Sequence, residues 1–215
     1  MTATDHGFAS GTDRLAASPR LFDNALLDKL SRVHWSVPLF VYVPVIVALA
    51  AVSFQMLPVA TVLGMTVVGY LIWTLVEYFG HRYLFHWEFP GEFGRRLHFL
   101  IHGVHHDHPN DPLRLVMPIL LSGPIMIIAW FVATLLFGAT LRFPALAGFV
   151  TGYLTYDMVH YYTHHATPTT KLGLMLRRLH LMHHFRDHDK GFGVSAPYWD
   201  FVFGTAERKP PRRRA

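Results

Sequence analysis

Residues 97–109 read LHFLIHGVHHDHP and place several histidines at helical spacing. An α-helix advances about 100° per residue, so positions three, four, seven and eight apart share a face. His98, His102, His105 and His106 therefore fall on one stripe. Imidazole is the commonest metal-ligand side chain, and a metal ion gives several imidazoles a physical reason to converge. The stretch predicts a helix that presents metal ligands.

Three more segments repeat this pattern. They are HRYLFH (81–86), HYYTHH (160–165) and LHLMHH (179–184). Together with His108, the four clusters contain all of the 16 histidines except His6, His34 and His188. His81 and His86 are five residues apart, about 140° around an α-helix, so in such a helix they would face different directions. They could serve two different metal ions, or lie where a helix ends.

The number of clustered imidazoles predicts two metal ions. One ion takes four to six ligands, so about ten histidines divide into five per ion with one position left open. The chain has no Cys, and all-nitrogen sites suit iron, zinc, copper or nickel better than magnesium or calcium. A structural zinc site is closed and four-coordinate. Two adjoining ions at the mouth of a membrane bundle indicate a catalytic centre instead.

The composition is typical of a membrane protein. Apolar residues make up 52% of the 215 residues and charged residues only 15%, against about 25% charged in soluble domains. The net charge of +5 comes from scattered or terminal residues, and without a basic face or motif we predict no nucleic-acid partner. We predict a disordered N-terminus at 1–19, a single membrane domain at 20–205 and a basic tail at 206–215.

Four apolar runs predict the fold. Residues 37–57, 59–76 and 115–141 carry no charge, and about 20 helical residues cross a bilayer core. A fourth run, 143–156, is shorter but continues as a helix through the histidines of HYYTHH. The predicted class is an all-α integral membrane protein with four transmembrane helices, at about 37–57, 59–78, 115–137 and 143–162, and a cytoplasmic histidine-rich metal-binding cap.

The predicted topology follows from the basic residues. With four spans, every histidine cluster lies on one side together with most Arg and Lys, while Arg142 lies on the other. The positive-inside rule then places the cap and both termini in the cytoplasm. The excess of Arg over Lys favours a bacterial source, and therefore the bacterial inner membrane.

The motifs HRYLFH, HFLIHGVHH, HYYTHH and LHLMHH resemble those of the fatty acid hydroxylase and sterol desaturase superfamily, which are integral-membrane non-haem diiron enzymes. The similarity is greatest to the fatty acid 2-hydroxylase branch, because HGVHHDHPNDPLRLVMP and GFGVSAPYWDFVFGT also match. It runs from about residue 77 to residue 205. The last of these segments is interpreted as a cap segment packing against the membrane, or as the wall of a substrate entrance.

The resemblance implies a ligand set and a set of supporting residues. The implied metal ligands are His81, His86, His102, His105, His106, His160, His164, His180, His183 and His184. The residues implied to orient them, or to act as alternative ligands, are His98, His165, Asp157, Asp187 and Asp111.

The resemblance also implies the chemistry. The cofactors would be two iron ions, which zinc can replace, with O2 as co-substrate. The reaction would hydroxylate a long-chain fatty acyl group, free or in a sphingolipid or ceramide, at C2. It needs two electrons per turnover. About 35 residues precede the first span, too few for the cytochrome b5 domain fused to some relatives. We therefore expect a separate donor: a cytochrome b5-like protein, a ferredoxin or a reductase.

Two alternatives stay open at this point. Sterol or carotenoid hydroxylases and desaturases of the same superfamily share the metal cap. Outside that class, a divalent-metal transporter would also be rich in histidine. Transporter sites lie near the bilayer midplane, whereas these clusters lie at or beyond the span ends.

Overall fold

A computed structural model of the protein describes residues 11–87 and 90–207, and this part of the chain contains helices and no strand. The remaining residues, including residues 1–10 of the predicted disordered terminus and most of the predicted basic tail, lie outside the described residues. The α-helices are α1 (Gly11–Leu15), α2 (Ala25–Leu30), α3 (Val37–Met56), α4 (Val59–Phe79), α5 (Gly91–His98), α6 (Val104–Asp107), α7 (Ile119–His165), α8 (Lys171–Phe185) and α9 (Tyr198–Val202). Two π-helical segments, Gly80–Phe85 and Phe99–Gly103, adjoin α4 and α5.

Three helical stretches among the described residues are long and apolar enough to cross a membrane. They are Val37–Met56, Val59–Phe85 and Ile119–His165. The first two correspond to the first two predicted spans. The third begins at Ile119, later than the predicted residue 115, because Pro118 stands at its N-cap and residues 115–117 are buried in non-helical chain.

The helix α7 reverses direction at Gly138. This residue has φ 73° and ψ −172°, a conformation that only glycine adopts without strain. The rings of Trp130 and Phe143 lie 5.8 Å apart, whereas a straight helix would separate them by about 20 Å. The α7 element therefore consists of a first arm (119–137) and an antiparallel second arm (139–165), in line with the predicted hairpin.

The second arm packs tightly against α4. A Cβ atom at Gly69 would lie 1.8 Å from the Ala145 carbonyl oxygen, and one at Gly148 would lie 1.9 Å from the Thr66 carbonyl oxygen. The absence of side chains at both glycines thus permits backbone contact between the two helices. Further along the same two helices, the rings of Trp73 and Tyr153 pack edge to face, with centroids 5.2 Å apart.

The segment before the first span contacts the histidine-bearing end of the molecule. The Asn110 N–H donates to the Leu15 carbonyl at 2.9 Å, and Arg32 Nη2 donates to the Ser18 carbonyl at 3.1 Å. Residues 11–19, predicted to be disordered, thus contain α1 and bind distant parts of the chain. Such long-range contacts leave no mark on local composition, and so the sequence pattern indicated disorder.

Candidate metal centre

Ten histidines converge in two groups at one end of the helices. In each group, one ring nitrogen of every histidine lies within 4.8 Å of the others, an arrangement that could hold a metal ion. The first histidine group contains His81, His86, His102, His106 and His183. The second histidine group contains His105, His160, His164, His180 and His184. Each of the ten histidines that the resemblance implied as ligands lies in one of these groups.

Of the two alternatives for His81 and His86, the structure has the one at a helix end, because α4 ends at Phe79 and His86 is the C-cap of the π-helical turn that follows. Both belong to the first histidine group, with their Nε2 atoms 3.2 Å apart. The backbone between them is π-helical, and the His86 N–H donates to the His81 carbonyl at 3.3 Å. A π-helix bonds residue i to residue i+5, so it brings positions five apart onto one face. The separation of 140° holds only for an α-helix, and the backbone here is not α-helical.

Neighbouring histidines in the chain belong to different groups. His102 and His106, one helical turn apart, join the first group with their Nε2 atoms 3.0 Å apart. His105, between them, points to the second group, where its Nε2 lies 3.0 Å from that of His160. The helix α8 shows the same division, because His180 belongs to the second group and His183 to the first. One helical segment therefore supplies both groups.

Hydrogen bonding alone does not account for the second histidine group. His184 Nε2 lies 3.0 Å from His105 Nε2 and 3.1 Å from His180 Nε2. His180 Nε2 also lies 2.8 Å from His164 Nε2. A ring nitrogen is either a donor or an acceptor, with one N–H or one lone pair. It cannot satisfy two such partners at once, whereas a shared cation would satisfy them all.

The nitrogen separations are short enough for the ligands of one metal ion. Metal–imidazole bonds are about 2.1 Å long, so ligands at right angles have nitrogens about 3.0 Å apart and tetrahedral ligands about 3.4 Å. The closest Nε2 pairs lie 2.8 Å to 3.2 Å apart in both groups. Five nitrogens at these separations in each group fit one shared metal ion per group.

Burial keeps these imidazoles in their ligand-competent form. Desolvation lowers the pKa of His86 to about 3 and that of His183 to about 4. For His105 and His184 burial lowers the pKa well below its usual range, and repulsion from neighbouring rings lowers it further. The rings are therefore neutral at pH 7, and neutral imidazole is the form that binds metals.

Backbone carbonyls orient two rings of the first histidine group. The Nδ1 atoms of His81 and His183 each lie 2.7 Å from a carbonyl oxygen, that of Phe192 and that of Lys190 respectively. A proton on Nδ1 would donate to these carbonyls and leave the Nε2 lone pair free for a metal. The residues 190–193, here called the carbonyl loop, thus have an orienting role that sequence reasoning missed.

Two buried carboxylates fix the carbonyl loop and its continuation. Asp200 accepts hydrogen bonds from the N–H groups of Phe192 and Gly193, both at 2.9 Å. Glu77, from α4, accepts from the Ser195 N–H at 2.7 Å. The sequence signal that could have identified Glu77 is its position as an acidic residue at the end of an apolar span. Nothing local identified its partner, which lies more than a hundred residues away.

The predicted supporting residues lie near the groups but bind other partners. Asp157 accepts from the Met117 N–H at 3.2 Å, and Asp111 accepts from the Leu113 N–H at 3.0 Å. Asp187 pairs with Lys190. His165 stacks on Tyr161 with ring centroids 4.5 Å apart. His98 is half-buried and, like these four, belongs to neither histidine group.

An apolar groove leads to both histidine groups. Its volume is about 260 Å³, and its outer wall includes Phe22, Leu27 and Leu121. At its inner end it reaches His102 of the first group together with His105 and His160 of the second. An apolar ligand in this groove would therefore lie against both candidate metal sites at once.

The fold and the site define an all-helical protein with membrane-type helices and paired histidine groups that could bind metal ions. The family model described as "Fatty acid hydroxylase" matches residues 66–205. The chain belongs to the fatty acid hydroxylase family, and is therefore a member of a lipid-hydroxylating oxidoreductase family. The resemblance noted in the sequence is confirmed.

Named relatives agree with this assignment. The chain is 38% identical to the dihydroceramide fatty acyl 2-hydroxylase FAH1 of Arabidopsis thaliana, over 91% of this chain and 83% of that protein. It is 35% identical to the ceramide very long chain fatty acid hydroxylase SCS7 of Saccharomyces cerevisiae, over 87% of this chain and 49% of that protein. A solved structure of full-length scs7p, in which only the hydroxylase domain is visible, superposes with a TM-score of 0.81 at 33% identity, covering 85% of this chain and 70% of the other.

Proposed function

We propose that this protein hydroxylates a long-chain fatty acyl group at C2, using O2 and two external electrons. The observation that carries the proposal is the apolar groove that meets both histidine groups at its inner end. A groove of this kind suits an alkyl chain, and the histidines suit metals that activate O2. The relatives, one named as a fatty acyl 2-hydroxylase and one as a very long chain fatty acid hydroxylase, support an acyl substrate over a sterol or carotenoid.

Each of the two histidine groups would hold one metal ion through its five histidines. We propose that both ions are iron. When bound, the ions supply O2 activation, and a hydroxyl replaces one C–H hydrogen of the substrate. One oxygen atom of O2 enters the product, and the other leaves as water with two electrons and two protons from outside. The side chains of the groove hold the alkyl chain and exclude water from the inner end.

The carbonyl loop would keep the first histidine group in register during turnover. Its carbonyls hold the Nδ1 sides of His81 and His183, so that both Nε2 atoms stay directed at the ion. Supporting hydrogen bonds of this kind fix ring orientation and raise the basicity of a ligand. The protein thus contributes binding, orientation and a dry inner groove.

We propose four membrane spans, with α3, α4 and the two arms of α7 crossing the bilayer. The reversal at Gly138 supports this count, because it gives two antiparallel apolar arms of roughly 30 Å or more. The histidine groups and both termini would then face the cytoplasm, in the bacterial inner membrane. There they would be accessible to a separate electron donor such as a cytochrome b5-like protein, a ferredoxin or a reductase.

The test is expression in a host that lacks 2-hydroxy lipids, followed by mass spectrometry of released fatty acids. We expect new 2-hydroxy acids, absent when His183→Ala replaces the native chain. Purified, iron-loaded protein with a competent reductant provides the second arm. Oxidation of a sterol or carotenoid without oxidation of acyl chains or ceramides would refute the proposal.

Reporter fusions test the topology separately. We expect fusions at Asn110 and after Thr205 to report the cytoplasmic side in a bacterial host. A periplasmic signal from either position would contradict the shared side for the histidine groups.

A further inference from the structure

The short helix α9 exposes large apolar side chains. Phe201 is 72% exposed and Val202 64%, and Tyr198 is exposed beside them. The segment 196–205 contains one charged residue, Asp200, which is buried and faces the carbonyl loop. Exposed apolar side chains with no charge among them mark an interaction surface.

Contacts with α4 place this surface at the level of an apolar span. Trp199 Nε1 donates to Thr74 Oγ1 at 3.1 Å, and Thr74 lies about 7.5 Å along the helix before α4 ends at Phe79. The Phe203 ring packs on the rings of Tyr78 and Phe79, with centroids 5.0 Å and 5.1 Å away. The helix α9 therefore lies beside the last turns of α4 and not beyond its end.

The exposed rings continue from α9 onto the end of α4. Phe203 contacts Phe79, and Phe79 stacks on Tyr83 with centroids 6.0 Å apart. The guanidinium of Arg82 lies 5.0 Å from the centre of the Tyr83 ring. Aromatic rings and long basic side chains together are typical of the level between acyl chains and headgroups. The occupant that fits this surface is therefore the bilayer.

The buried side of α9 holds the carbonyl loop. Asp200 accepts a hydrogen bond from the Phe192 N–H at 2.9 Å, and the Thr205 hydroxyl donates to Asp200 at 2.8 Å. Just after α9, the Thr205 carbonyl accepts from the Gly191 N–H at 3.0 Å. The position of the carbonyl loop thus depends on α9, and the first histidine group depends on the carbonyl loop.

We propose that α9 is an in-plane membrane anchor, and that its contact with the bilayer holds the carbonyl loop in place and so sets the metal affinity of the first histidine group. Short amphipathic segments of this kind lie at the boundary between headgroups and acyl chains. The proposal rests on two parts of the proposed function, the crossing of the bilayer by α4 and metal binding by the histidines, and not on the reaction. The apolar groove is lined by other segments, so this role is separate from substrate binding.

Site-directed spin labelling tests the contact with the bilayer. The chain has no Cys, so Phe201→Cys places one label on α9, and Asp189→Cys, at an exposed position, is the control. In nanodiscs of phosphatidylethanolamine and phosphatidylglycerol, we expect O2 to relax the label at position 201 more than a water-soluble nickel chelate does. The label at position 189 should show the reverse.

Two results would overturn the anchor. One is a label at position 201 that the nickel chelate reaches as readily as it reaches the label at position 189. The other is a label at position 201 that neither reagent reaches, because a protein partner or a second copy of the chain would then cover this face.

The variant Phe201→Asp tests the link to the carbonyl loop. A carboxylate at this depth should displace α9 toward water. In metal-free protein in nanodiscs, we expect the amide hydrogens of Phe192 and Gly193 to exchange about tenfold faster than in the native protein. Metal affinity should fall about threefold to tenfold at the first histidine group and change little at the second.

The matched control is Phe40→Asp. Phe40 is 78% exposed in the first turn of α3, near the same end of the molecule, and has no part in the carbonyl loop. It should leave both measurements unchanged. Phe201→Trp keeps a ring that suits the membrane interface and should give native values.

The outcomes distinguish this inference from the proposed function. Native exchange rates at Phe192 and Gly193 in Phe201→Asp would overturn it, as would equal effects from Phe40→Asp. If the native protein binds no metal ion, the proposed function fails, whereas the spin labels and the hydrogen exchange still test α9. Thermal unfolding shows whether each variant is folded, and Phe201→Ser, with the same expectations, replaces Phe201→Asp if that variant is not.

Discussion

The two histidine groups differ in burial and in what supports them. All five histidines of the second group are buried, whereas His86 and His106 of the first are only half-buried. The second group is built on α6, α7 and α8, and its Nδ1 atoms have no partner among the described residues. The first depends on π-helical turns and on the carbonyl loop. Helices alone thus place the second group, whereas the first combines helices and π-helical turns with a hydrogen-bonded loop.

This difference predicts distinct responses to perturbation. A group held by packed helices loses its geometry only when the fold changes. A group oriented by a loop changes when the loop's own hydrogen bonds change. The four predictions below test that contrast, beginning with the largest expected effect.

Removing one ligand from either group should abolish most of the activity, although each variant loses a different ion. We expect His183→Ala and His160→Ala each to lower turnover by about a hundredfold or more. Loss of a ligand should cost more than loss of a residue that supports a ligand, which typically costs about 10-fold to 100-fold. Each variant should bind about one metal ion where the native protein binds two, as measured by elemental analysis. A variant that keeps both ions would show that the two groups are not separate sites.

Acid should destabilise the metal-free protein. Burial lowers the pKa of His183 from 6.5 to about 4, so below pH 6.5 the unfolded chain binds a proton that the folded chain does not. The contribution of His183 to the free energy of unfolding is therefore fully present above pH 6.5 and is lost as the pH falls from 6.5 to 4. The loss at pH 4 is about 3 kcal/mol for this residue.

Thermal unfolding of chelator-treated protein in detergent measures this effect. The control is His183→Gln, which cannot titrate and should show a weaker dependence between pH 6.5 and 4. A melting temperature independent of pH over that range would contradict the predicted burial of neutral rings.

Loss of the carboxylate that holds the carbonyl loop should affect one group selectively. Asp200→Ala removes the acceptor for the Phe192 and Gly193 N–H groups, and the loop then no longer fixes the His81 ring. We expect metal affinity to fall about 10-fold to 100-fold at the first histidine group and to change little at the second. Competition with a graded series of chelators resolves the two affinities.

The conservative variant Asp200→Asn keeps one acceptor oxygen and should show an intermediate loss. Equal weakening of both groups in Asp200→Ala would mean that the loop supports the whole centre, and the contrast between the groups would be lost.

The smallest effects should come from histidines outside both groups. We expect His34→Gln and His165→Gln to keep activity within about twofold, because His34 is exposed and His165 stacks on Tyr161. His165 is the sharper case, since its neighbour His164 belongs to the second group. Activity assays under identical metal loading check this, and a large loss in His165→Gln would extend the ligand set.

Local physics made much of this protein predictable from sequence. Apolar runs of about 20 residues and histidines at helical spacing depend on hydropathy and on periodicity, which are properties of single segments. They predicted an all-helical membrane-type fold and clusters of histidines that converge, the resemblance implied which ten, and the resemblance to the hydroxylase family is confirmed. The identity of those histidines as iron ligands stays a prediction, as do the four spans and their orientation.

Tertiary structure alone decided how the histidines divide and what supports them. His105 and His106 are adjacent in sequence but join different groups, because the His105 ring meets His160 of α7 and His184 of α8, whereas His106 Nε2 lies beside His102 Nε2. The π-helical turn between His81 and His86 brings together two rings that an α-helix would separate. The carbonyl of Phe192 likewise acquires its contact with His81 from a residue far away in the chain. Sequence periodicity describes one helix at a time, and these contacts exist only between packed segments.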